Sequence, residues 1–219
     1  MRPDALELPV PASPSARPAL AGRACLLAWV SLGWHAAEAA IAVAAGIAAG
    51  SIALVGFGGD SLIEAGAAGV VVWRFSAGRS ASHLAERRAQ LLIGASFFAL
   101  AAYVSVEAGR TLVVGEHAEA SPVGIALAAV TLATMPPLAA AKTRIGQALG
   151  SAATAGEGRQ NLLCAYLSAA LLVGLGANAL LGWWWADPAA ALTVAALAIK
   201  EGRDAWRGDG CCAAPACGC

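Results

Sequence analysis

The chain has 219 residues, 59% of them hydrophobic and 13% charged, with fourteen basic and fourteen acidic groups and no net charge. Soluble domains carry about 25% charged residues, and the mean hydropathy here is +0.68, so a water-soluble fold has too little polar surface to cover its apolar material. Zero net charge leaves no basic footprint for nucleic acid.

The first 20 residues hold Pro3, Pro9, Pro11, Pro14 and Pro18 with the acids Asp4 and Glu7. This is neither the basic start nor the short apolar core of a signal peptide, and residues 1–23 read as a disordered cytoplasmic arm. Apolar runs of the length a bilayer demands follow, about 20 residues each. They are Ala24–Ala49, Ser51–Trp73, Leu91–Val114, Ser121–Ala141, Ala152–Gly182 and the shorter Trp184–Ile199. The expected fold is therefore an all-α integral membrane protein of six transmembrane helices over residues 24–206. Residues 207–219 form a cysteine-rich tail.

Basic residues orient such spans, because Lys and Arg accumulate in cytoplasmic links. The arm holds Arg2, Arg17 and Arg23. The link after span two holds Arg74, Arg79, Arg87 and Arg88, and the link after span four is assigned Lys142, Arg144 and Arg159. With Lys200, Arg203 and Arg207, thirteen of the fourteen fall on one side, leaving Arg110 on the other. Both termini are expected in the cytoplasm. Trp183, Trp184 and Trp185 lie at the opposite boundary, where an aromatic belt belongs. Asp187-Pro188 reads as the cap and first-turn proline of span six.

Several residues are costly at membrane depth. Asp60 and Glu64 stand at i and i+4 in span two, so both carboxylates share one helix face. Two like charges this close in low dielectric cannot both stay ionised without a cation. The pair therefore suits a site that exchanges protons for a metal, the alternative being two carboxyls hydrogen-bonded to neighbouring helices. In span five Gln160 and Cys164 repeat the i, i+4 spacing, with Glu157 one turn earlier. Counting from the cytoplasmic ends pairs Glu64 with Gln160 and Asp60 with Cys164, roughly 12–20 Å deep at 1.5 Å per residue. His35 and Glu38, at i and i+3 in span one, are expected to pair with each other, to relay protons or to reach the site. Glu107 and Arg110 have the spacing of a satisfied ion pair.

Gly50-Ser51-Ile52-Ala53-Leu54 followed by Asp60-Ser61-Leu62-Ile63-Glu64 resembles the second span of the cation diffusion facilitators. There a Gly-Ser-Ala-Leu stretch leads into Asp-x-x-x-Asp or His-x-x-x-Asp. Trp185-Ala186-Asp187-Pro188 is similar to the start of their sixth span, and the likeness covers Ala24 to Trp206. The resemblance implies a six-helix carrier that binds a divalent metal tetrahedrally with four residues of spans two and five, exchanging it for protons by alternating access. Carried over, Asp60 takes the first carboxylate position and Glu64 the second, with Glu replacing the usual Asp. Gln160 and Cys164 stand where His-x-x-x-Asp is usual. A carboxamide is a weak ligand, whereas a thiolate favours zinc or cuprous copper. Family members usually add a cytoplasmic metal-binding domain after span six. This sequence runs only to Cys219 and looks like a short, divergent bacterial-type branch, which places it in the inner membrane.

Cys211, Cys212, Cys217 and Cys219 crowd the tail, where a cytoplasmic setting disfavours disulfides. Four thiols suffice to close around one zinc or cuprous ion, and the same residues also read as an unstructured tail without a ligand. The expected function is proton-coupled efflux of a divalent cation, zinc foremost, by a protein that is not an enzyme and holds no organic cofactor. A metal sensor or accessory subunit without transport is one alternative, and a membrane thiol oxidoreductase is another. Expected partners are lipid, metal ions and protons. A homodimer is admissible, because Gly66 and Gly69 permit close helix contacts.

Overall fold

A computed structural model describes residues 17–76, 83–115, 117–149 and 152–207. Its elements are helices α1 (Arg17–Ala49), α2 (Ile52–Ser76), α3 (His83–Val114), α4 (Pro122–Leu149), α5 (Ala152–Leu181) and α6 (Ala186–Arg207). No strand occurs among the described residues. Four of the helices contain segments long and apolar enough to cross a membrane, namely Pro18–Ala49, Leu91–Val114, Pro122–Leu149 and Thr154–Leu181. Of the other two, α6 carries the charges of its last turns, and α2 is largely apolar apart from Asp60, Glu64 and Arg74.

The helices pair as α1 with α2, α4 with α5 and α3 with α6, and α2 also touches α3, α5 and α6. Glycine sets the closest approaches. A Cβ on Gly58 would fall 2.9 Å from the Val43 backbone nitrogen, so α1 and α2 meet where one of them lacks a side chain. Gly50 (φ 64°) ends α1 in the left-handed conformation that costs an L residue most. The Ser51 amide donates to the Gly46 carbonyl at 2.9 Å, which makes the α1–α2 link almost immediate. At the same end Glu119 N–H donates to the Ala49 carbonyl at 2.8 Å, and Asn178 Nδ2 donates to the Ala118 carbonyl at 2.8 Å. These bonds gather the end of α1, the α3–α4 link and the last turn of α5 at one pole of the bundle.

Asp187 lies in the first turn of α6, but its carboxylate caps a different helix from the expected one. Ser51 Oγ donates to Oδ1 at 2.5 Å, while the amides of Ile52 and Ala53 donate to Oδ2 at 3.0 and 3.4 Å. Ser51 Oγ also accepts the Leu54 amide at 3.1 Å. Opening amides of α2, orphaned by helix geometry, thus find their acceptor on α6. Asp187→Ala is expected to cost about 2 kcal/mol, the top of the range for a helix cap, read as a lower unfolding midpoint in detergent. An unchanged midpoint would remove this cap from the account of stability.

Three boundaries differ from the sequence expectation. α1 begins at Arg17, so the end of the supposed arm is helical, and residues 1–16 lie outside the described part. α3 begins at His83, before the apolar run, because polar residues continue a helix past the hydrocarbon layer. α4 continues past Ala141, which takes Lys142 and Arg144 out of the link and into the helix. Lys142 is buried at 1% exposure, a correction to its placement among exposed cytoplasmic charges.

Candidate metal site

Five of the buried ionisable or thiol side chains come from α1, α2 and α5. His35 and Glu38 come from α1, Asp60 and Glu64 from α2, and Cys164 from α5, none more than 5% exposed. The spacing along α1 turns His35 and Glu38 to one face, and that face packs on α2. His35 Nδ1 lies 3.3 Å from Glu38 Oε2 and 3.2 Å from Glu64 Oε2. One ring nitrogen carries at most one hydrogen. It is hydrogen-bonded with Glu38, and Glu64 Oε2 is left buried without a hydrogen bond among the described residues. A buried carboxylate oxygen in that state is costly unless something cationic approaches it.

Glu38 is the best-satisfied group of the cluster. Ser61 Oγ of α2 donates to Oε2 at 3.0 Å, and Thr131 Oγ1 of α4 donates to Oε1. The Cys164 thiol of α5 lies 3.9 Å from Oε2. One carboxylate of α1 therefore joins α2, α4 and α5. Donor atoms of His35, Glu64 and Cys164 all lie within 4.8 Å of one another, each from a different helix. Nitrogen, oxygen and sulfur donors at such spacing suit a borderline ion of the zinc kind.

The sequence-predicted residues fall into two sets. Glu64 and Cys164 come together, with His35 between Glu64 and Glu38. Asp60 is buried one turn from Glu64 on the same face of α2. Gln160 is half-buried, and among the described residues no hydrogen bond joins it to the cluster. Its neighbour Asn161 is the buried amide of α5, donating from Nδ2 to Met135 Sδ at 3.3 Å and accepting from Lys142 Nζ at 3.5 Å. The equal-depth pairing of Glu64 with Gln160 is one turn off. α2 continues to Ser76, and from the observed helix ends Glu64 and Cys164 are each twelve residues in. Glu157 is not at the cluster, since it pairs with Lys142 at 3.0 Å. Glu107 and Arg110 pair at 3.4 Å on an exposed face of α3. Cys211, Cys212, Cys217 and Cys219 lie outside the described residues.

Sequence reasoning missed Lys142, Asn161, Ser61 and Thr131. The hydroxyls carried a faint signal, as polar side chains in apolar helices. Lys142 carried a misleading one, because it stands beside Arg144 in what reads as a basic link.

Buried donors of mixed hardness inside a bundle of apolar helices define a membrane protein that handles cations. The cation efflux transmembrane domain matches the chain over residues 28–207. The chain belongs to that family, the cation diffusion facilitators, and is a membrane-embedded metal-cation transporter of their kind. Comparison with curated proteins gives no match.

Proposed function

We infer that the chain exports a divalent, zinc-like cation from the cytoplasm in exchange for protons. The observation that carries this reading is the unsatisfied Glu64 oxygen facing a histidine and a thiol. The buried cation nearest in kind, Lys142, is already paired with Glu157, so the charge of Glu64 has to be met by a proton or a metal ion. Loading an ion requires the thiol to give up its proton, which links metal binding to proton release. Asp60 and Gln160 extend the polar track one turn in opposite directions, along α2 and α5. With six spans and cytoplasmic termini, Gln160 lies on the inner side of the cluster and Asp60 on the outer side. The bonds that collect the α1, α3–α4 and α5 ends at one pole support this alternation.

Purified protein in proteoliposomes, supplied with zinc, iron, manganese or cobalt under a pH gradient, tests the reading. Zinc uptake with counterflow of protons is the expected result. Zinc binding without flux would favour a sensor or accessory role. The oxidoreductase alternative gains nothing from the described residues, in which Cys25 is exposed and Cys164 buried, each with a free thiol.

Orientation has its own test. In intact cells a membrane-impermeant thiol reagent should label cysteines introduced at Gly115 or Ala120 and should spare Cys211–Cys219. Labelling of the tail would reverse the orientation and the assigned direction of transport.

A further inference from the structure

Helix α1 contributes more to the cluster than the family resemblance implies. The nitrogen donor that span five lacks, with Gln160 at the usual histidine position, is present in the structure on another helix. His35 approaches Glu64 from α1, and Cys164 approaches from α5. We propose that His35, Glu64 and Cys164 are the ion's protein ligands, a three-helix nitrogen–oxygen–sulfur site for a thiophilic divalent cation. This rests on the reading of the chain as a metal-cation carrier.

Two observations at the Glu64 oxygen carry it. Zinc bonds of about 2.0–2.3 Å set tetrahedral ligand–ligand edges of about 3.3–3.8 Å. The His35 nitrogen and the Glu64 oxygen are 3.2 Å apart, close to such an edge before any ion draws them together. The same Glu64 oxygen is buried and lacks a hydrogen bond, although that nitrogen is within reach. The one Nδ1 hydrogen goes to Glu38, which leaves this oxygen for a cation to meet. Without an ion the 3.3 Å contact from Nδ1 to Glu38 holds the His35 ring in place, and loading an ion at Nδ1 displaces the hydrogen shared there. Three protein ligands leave a fourth position open for water, as sites that exchange their ligand require. A thiolate disfavours magnesium, calcium and manganese relative to zinc or cobalt. Loading would also draw α1, α2 and α5 to one point, making α1 a working part of the carrier.

The tail thiols and the other imidazoles would confuse a test, so the protein is first simplified. Cys25→Ser, Cys211→Ser, Cys212→Ser, Cys217→Ser and Cys219→Ser leave Cys164 as the one thiol. His83→Asn and His117→Asn leave His35 as the one imidazole. Detergent-purified protein is titrated with cobalt, followed by its near-ultraviolet thiolate-to-cobalt absorption, and zinc-loaded protein is studied by X-ray absorption. The expected results are a cobalt–thiolate band and a zinc shell containing one sulfur and one imidazole. His35→Ala and Cys164→Ser should each weaken zinc binding by about 100-fold or more. No site variant is needed for the first readout, so a misfolded mutant cannot hide the answer. A zinc shell without sulfur or without imidazole overturns the proposal. So does unchanged affinity in His35→Ala alongside lost binding in Asp60→Asn and Gln160→Ala, and so does a protein that binds neither metal. Vesicle transport, measured separately, decides the carrier reading on its own. Flux without this ligand set defeats the proposal alone, and this ligand set without flux defeats the carrier reading alone.

Discussion

Asp60→Ala and Glu64→Ala are each expected to bring metal-dependent transport down to the background of empty vesicles, with expression and membrane insertion intact. Both carboxylates are buried on one face of α2, and neither caps a helix end, although Glu64 touches His35 and the Cys164 thiol. Their removal takes away negative charge that the proposed ion needs while leaving the helix caps intact. An isolated cation moved into the interior faces a desolvation cost of several kcal/mol or more, and these acids are placed to offset it. Glu64→Gln sharpens the test, because it keeps the shape and the hydrogen-bonding capacity while removing the charge. The proposed ligand role predicts loss in Glu64→Gln as deep as in Glu64→Ala. Full flux through well-inserted Asp60→Ala protein would take Asp60 out of the ion's path.

Lys142→Ala is expected to destabilise the bundle by about 3–5 kcal/mol, the cost of leaving one partner of a buried ion pair alone. Lys142 Nζ sits 3.0 Å from Glu157 and 3.5 Å from Asn161 Oδ1, so its loss strands both acceptors between α4 and α5. Replacing both charges together, as Lys142→Met with Glu157→Leu, should recover most of the loss, because no unpaired charge then remains. Unfolding midpoints in mixed detergent check this, with the wild type, both single variants and the double variant measured side by side. Costs that simply add would show that the two side chains act separately.

The six helices were legible because apolar runs of bilayer length have few alternative readings. The Asp60–Glu64 face was legible because i, i+4 spacing fixes a shared side whatever surrounds it. His35 and Glu38 were legible as a pair for the same reason. Which helix that pair meets is a matter of tertiary packing, and local spacing carries no such information. The contrast between Gln160 and Asn161 makes the same point at finer scale. Adjacent positions on a helix differ by about 100° in direction, so a small error in the rotation of α5 exchanges the buried amide for the half-exposed one. Lys142 was unreadable because a basic residue at a helix end normally reaches water, and its partner Glu157 lies on the next helix.

The bond between Asp187 and the first turn of α2 fixes a fulcrum. At 1.5 Å per residue Asp60 lies about 12 Å from Ile52 along α2, and Glu64 about 18 Å. A tilt of about 10° about that point would carry Asp60 about 2 Å and Glu64 about 3 Å. The lever arm is thus longer at Glu64, the carboxylate proposed to share an ion with α1 and α5, and shortest at the pole where the helices are tied. A modest swing is enough to open or close a coordination sphere at Glu64 while Ser51 and Asp187 keep their grip.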